Sequence, residues 1–246
     1  MDKSELPSWA KQPAIEWLNY VEDIQDSLQT SVLAIKTSRL FADLLKKIPK
    51  DWQKELQQKG EFNNKTFLEN LNIFKNSMTK LMKTDFNYLY SLGLVLLWTS
   101  VETLTSDFLL LYIKNNPSSL VEIKAAQKIK ISISEFYLKN NDERLLLVLE
   151  ELKINSESGI TAYDGVLKKF NLLPNFDNQL TKKLLEMSNF RHSIVHQRAR
   201  VDLKLLKKCP WLKLKIGEKI NVSEKDFLSY SRATIDYGDL LLSKLL

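Results

Sequence analysis

Glycine supplies the positive-φ backbone that tight turns need, and this chain has only six in 246 residues. An average composition of about 7% would place roughly seventeen glycines in such a length. So few disfavours a turn-rich β fold and suits long helices. Hydrophobic residues at 44% and charged residues at 27% are ordinary for a soluble globular protein. The length suffices for a sizeable core, as one large domain or two small ones.

Periodicity agrees with helices. Ile15, Leu18, Val21 and Ile24 recur three apart in an amphipathic N-terminal segment. Pro49, Gly60 and Asn63-Asn64 then mark a break. We expect a second helix over about 65–83 and a third, the most apolar, over about 85–114, stopped by "NNPSS". In "AQKIKISISEF", Ile129, Ile131 and Ile133 alternate as in a strand, but the neighbours look helical and helix is the preferred reading. "NNDERLLLVLEEL" and "GITAYDGVLKKFNLL" read as two more helices. Asp177 is a suitable N-cap for the next, which runs to about Arg198. Leu212, Leu214 and Ile216 then alternate, turn at Gly217-Glu218 and resume at Ile220 and Val222, a short β-hairpin signal over 212–222. Ser223 caps a last helix through Leu246.

The single cysteine, Cys209, excludes an internal disulfide framework and the usual cysteine-based zinc site. A reducing, cytoplasmic setting is the expectation. "MDKSELPSWAKQ" has no basic start leading into an apolar run, so no signal peptide is expected. The most apolar stretch, Tyr88 to Trp98, is eleven residues long, where a membrane span takes about twenty. It reads as a buried core helix, with no membrane partner.

The net charge of +6 is concentrated. Between Arg191 and Lys219 nine Lys or Arg face two acids, Asp202 and Glu218, giving +7 and leaving −1 for the rest. Such a patch suits a polyanion, or is simply a solvated basic face. It begins at "RHSIVH", which holds both histidines of the chain, His192 and His196. On a helical wheel Leu180, Leu184, Met187 and Val195 lie within about 40° of Arg191. A guanidinium in the middle of an apolar stripe needs a cleft, an interface, or an acid such as Glu102 beside it. The histidines share another face, at about 100° and 140°. Two ligands alone do not make a metal site, and no further His exists, so neither metal nor cofactor is expected. Imidazole can instead move protons near neutral pH, and arginine can grip a phosphate as charge develops on it. Together these suffice for RNA cleavage by the neighbouring 2′-hydroxyl. The separation of about 140° between Arg191 and His196 requires that the helix fray near His196 or that two copies pool their residues.

"RHSIVH" resembles the signature of the HEPN superfamily: arginine, four to six residues, then histidine, with Asn, Asp or His commonly after the arginine. "LWTSVETL" is similar to a Trp-x-x-x-Glu pattern on an earlier helix of several bacterial subfamilies, and the tail from Arg200 resembles that of defence and toxin members. The likeness covers about 65–246; residues 1–60 are read as an N-terminal helical extension, or as part of one continuous domain. It implies an all-α, HEPN-like bundle with a four-helix core, and a homodimer whose paired motifs line a basic cleft. It also implies a metal-independent endoribonuclease of a toxin–antitoxin or antiphage system, with an antitoxin or other defence protein as possible partner. Its products would carry 2′,3′-cyclic phosphate and 5′-hydroxyl ends. On this resemblance Arg191 holds the scissile phosphate, His196 is the acid/base, His192 orients them or makes a second polar contact, and Glu102 supports them. Arg198, Arg200, Lys204, Lys207, Lys208, Lys213 and Lys215 would grip the RNA backbone. A non-catalytic HEPN-like module that binds RNA or protein is the rival reading.

Overall fold

The N-terminal helix shows how side-chain spacing decides what is buried. A spacing of three precesses by about 60° per step around an α-helix, so four such residues cannot all face one core. In the computed structural model of the chain, which describes residues 5–45, 64–120, 131–153 and 159–246, helix α1 (Ser8–Leu45) buries Ala14, Trp17, Val21, Ile24, Leu28 and Val32. Those spacings are all three or four residues and hold one face. Ile15, expected inside, is 40% exposed. The break proposed at Pro49 to Asn63 lies outside the described residues.

Helix α2 (Asn64–Lys83) leads through a three-residue turn into α3 (Asn87–Asn115). Asp85 and Phe86 adopt left-handed backbone there, and the Phe86 N–H donates to the Leu81 carbonyl at 2.9 Å. By length and composition α3 could cross a membrane, and half of its most apolar window is buried within the protein. It is the central helix, burying Leu94, Leu97, Trp98, Val101, Leu104, Phe108, Leu109 and Ile113. The helix preferred for "AQKIKISISEF" is present in its described part as α4 (Ile133–Tyr137); Ile129 lies outside the described residues. Helix α5 (Asn141–Lys153) opens with a reciprocal cap, Asn140 Oδ1 accepting from the Glu143 N–H and Glu143 Oε2 from the Asn140 N–H. Then follow α6 (Ile160–Lys169), α7 (Asn178–His196), the short α8 (Leu203–Lys208) and α9 (Glu224–Leu242), ending in a 3₁₀ turn, Ser243–Leu245. The expected caps are in place. Asp177 Oδ1 accepts from the Leu180 N–H at 2.7 Å, and Ser223 forms a capping box with Asp226.

The chain is all-α among the described residues, with α1, α3, α7 and α9 packed around a shared core. Tyr90 meets Phe227 and the Thr105 hydroxyl meets Tyr237 at 2.7 Å, so α3 and α9 run parallel. Phe190 contacts Tyr230 while Phe176, just before α7, stacks on Tyr237, so α7 runs antiparallel to both. Two glycines allow the closest approaches: a side chain at Gly93 would collide with Leu28 and Phe227, and one at Gly238 with the Trp17 indole.

The expected β-hairpin over 212–222 does not form. The turn exists, with Gly217 at φ 81° and the Glu218 N–H bonded to the Lys215 carbonyl, but the returning arm pairs elsewhere. Gly217 donates to the Val201 carbonyl, Val201 to the Glu218 carbonyl and Ile220 to the Ala199 carbonyl, around one isolated bridge between Arg200 and Lys219. Ile220, Val222 and Val201 are buried by this pairing, whereas Ile216 is 66% exposed. Pairing of that second arm with residues 199–201, just after α7, replaces a local hairpin with the 212–216 arm.

Candidate functional site

The basic, histidine-bearing end of α7 is assembled from three directions. The apolar stripe of α7 anchors it through Leu180, Leu184 and Met187, each buried. Arg191 follows one turn later, where the stripe leaves the core; its side chain is 33% exposed. Val195, one turn further on, is half exposed rather than buried.

Arg191 Nη2 lies 4.0 Å from Glu102 Oε2, and the Glu102 side chain is itself 31% exposed. That separation makes an ion pair but exceeds the 2.7–3.2 Å of a hydrogen bond. The Nε of Arg191 is buried and has no acceptor among the described residues. Glu102 is therefore a half-solvated neighbour of the arginine, not a buried acid that saturates it, and donor capacity remains on the guanidinium.

The imidazoles of His192 and His196 lie 5.0 Å apart between ring centres, tilted by 50°. Burial pushes the His192 pKa below its ordinary value, and the positive charges of Lys204 and Arg191 and the neighbouring His196 push the same way against Asp202. His192 is thus neutral at neutral pH and able to accept a proton or a hydrogen bond. His196 is exposed.

Helix α7 is regular through His196, so fraying does not bring this histidine towards Arg191. The two remain about 140° apart around the helix of one chain. The helix ends immediately afterwards: Arg198 and Ala199 adopt left-handed backbone at φ 54° and 57°, and Ala199 donates to the Ser193 carbonyl. This reversal turns the chain back beside α7.

Most of the cationic residues expected at the site follow that reversal. Arg198, Lys204 and Lys207 are exposed, and Lys208 is half-buried. Lys204 is near enough to depress His192. Arg200 donates to the Gly217 carbonyl at 2.8 Å and so helps hold the returning arm. Asp202 caps α8, accepting from the Leu205 N–H, which orients Lys204. Lys213 and Lys215 are exposed on the loop after α8, and no described contact joins them to the histidines. Among the described residues no three His, Cys, Asp or Glu side chains converge as metal ligands would.

Sequence reasoning missed Glu186. This carboxylate is 5% exposed and accepts from the Trp211 indole N–H at 2.6 Å, from the Tyr230 hydroxyl at 3.2 Å and from Lys183 Nζ at 2.9 Å. It clamps the segment after α8 onto α7 and α9. Cys209, buried beside it, has its thiol pushed up to about 12 by burial and by the Glu186 charge. No periodicity marks Glu186 as a clamp, because Trp211 and Tyr230 are 25 and 44 residues away.

No protein-family model, curated protein or solved structure matches the chain.

Proposed function

We propose that the chain is a metal-independent endoribonuclease of the HEPN type, working in the cytoplasm in bacterial toxin–antitoxin or antiphage defence. The observation that carries this reading is the state of Arg191: one-third exposed, incompletely satisfied, and flanked by a histidine pair and a basic segment. In the proposed reaction His196 takes the proton of the 2′-hydroxyl, whose oxygen then attacks the adjacent phosphorus. The bond from phosphorus to the 5′-oxygen breaks, and that oxygen takes the proton that His196 has accepted. The ends formed are a 2′,3′-cyclic phosphate and a 5′-hydroxyl. Arg191 holds the phosphate and its growing charge, Glu102 steadies Arg191, and neutral His192 supplies a further polar contact. The basic residues from Arg198 onward track the RNA backbone.

The angle between Arg191 and His196 calls for a second copy of the chain. An exposed apolar strip supports one: Tyr88, Leu92 and Leu96 lie four apart on α3 at 63%, 42% and 43% exposure, and Val195 on α7 is 50% exposed. With α7 antiparallel to α3 and Arg191 level with Glu102, Val195 falls towards the end of α3 that carries this strip. A two-fold contact there sets two copies of the motif face to face. A defence-system partner such as an antitoxin would act by covering that cleft.

The test is cleavage of RNA in EDTA by wild-type protein beside Arg191→Ala and His196→Ala. Each variant is expected to lose about a hundredfold or more of the rate. Full activity in both variants, or no cleavage of any RNA by the wild type, overturns the reading. The Glu102–Arg191 pair favours the second reading, a non-catalytic HEPN-like module for RNA or protein, since it already engages part of the guanidinium. That reading predicts salt-sensitive binding without cleavage.

A further inference from the structure

A cleft of about 490 Å³ opens between the first turns of α1, the second half of α3 and the start of α5. Its size is that of a small-molecule site. Trp9, Trp17 and Tyr20 from α1 and Phe108 from α3 line it with aromatic surface. Asp107 lines it too, five residues beyond Glu102 and so about 140° around α3 from the Arg191 site.

The polar groups of this cleft are incompletely partnered. Asp107 is solvent-exposed at the mouth of the cleft, and its carboxylate has no hydrogen bond or ion pair with any described residue. Trp17 is 6% exposed, and its buried indole N–H has no acceptor among the described residues. Its benzo edge abuts Gly238, which leaves the pyrrole edge directed away from α9. Pro13, also in the lining, removes the N–H that would have bonded the Trp9 carbonyl within α1.

Charge decides which ligand fits. Lys114, the one lysine among the described residues of the lining, is paired with Asp142 at 2.9 Å, and Glu16 accepts a hydrogen bond from Gln12. Asp107 and Glu16 therefore leave the cleft negative in a chain whose net charge is +6. An RNA phosphate is repelled there. A protonated amine is attracted both by the carboxylate and by the aromatic faces.

We infer that this cleft binds a small organic cation, a protonated amine on an aromatic or apolar body, with Asp107 as its counter-ion. The amine sits against Asp107, and the body fills the space between the α1 aromatics and Phe108.

The experiment is calorimetric titration of the full chain with phenethylammonium, beside the neutral 2-phenylethanol and the anionic phenylacetate. Sub-millimolar binding of the amine is expected, with the alcohol about tenfold weaker and phenylacetate weaker still. Asp107→Asn is expected to weaken the amine about tenfold and leave the alcohol unchanged. Because Asp107 is exposed and has no partner among the described residues to lose, this variant folds at least as stably as the wild type, and its thermal unfolding checks that. Equal binding of amine and alcohol, an unchanged amine affinity in the variant, or no amine binding overturns the inference.

Discussion

Asp164 on α6 has one carboxyl oxygen buried without a donor, and burial pushes its pKa up to about 6. Folding therefore shifts the group towards its neutral form relative to the unfolded chain. Below about pH 4 the group is protonated in both states and has no effect on stability. Between about pH 4 and 6 the unfolded chain releases the proton first, so stability falls as pH rises, and above about 6 the full penalty stands. Discounted for residual solvent contact, it is about 2 kcal/mol. Asp164→Asn should gain about that much at pH 8 and nothing at pH 4 by urea unfolding. An equal gain at both pH values refutes this account. His192 has the opposite sign. Its lowered pKa means that the unfolded chain binds the proton first as pH falls below about 6.5, so its contribution to stability is lost on the acid side.

Helix α7 and the segment after α8 behave as one element because of Glu186. Removing that carboxylate strands the Trp211 and Tyr230 donors and the Lys183 charge together. Glu186→Ala should cost about 3 kcal/mol, and Glu186→Gln, which retains one acceptor, about half of that. A second readout follows from Cys209, which is fully buried under this clamp. A thiol reagent should modify Cys209 far faster in Glu186→Ala under native conditions. Unchanged thiol protection with unchanged stability refutes the clamp. The element was partly legible in the sequence: Asp177 and Ser223 announce helix starts through their own next turn, and both caps are present. The hairpin over 212–222 was misread because alternation reports which residues want burial, not which strand will cover them.

The whole molecule is organised around α3, which touches α1, α5, α7 and α9. That arrangement sorts its surface into distinct sides. One bears the Arg191–Glu102 pair with the exposed strip Tyr88, Leu92 and Leu96; another bears the cleft around Asp107. If the strip joins two copies, Leu92→Glu and Val195→Glu should convert dimer to monomer in sedimentation velocity and reduce RNA cleavage in parallel. The cost to monomer stability should stay within about 0.5 kcal/mol, since both side chains are solvent-facing. A wild-type chain that sediments as a monomer at every concentration refutes the dimer.

What the sequence by itself determined is local. Glycine scarcity, helical periodicity and capping residues act within a few residues of chain, and from them follow the all-α class, most helix boundaries and the concentration of positive charge after Arg191. The tertiary structure alone decided which faces are buried and which charges meet. It placed Glu102 beside Arg191 across 89 residues of chain, joined Trp211 to Glu186, exposed Ile15 and Val195, and opened the cleft around Asp107. The physical reason is that burial and ion pairing depend on distances in space, which a periodic pattern along one helix does not encode.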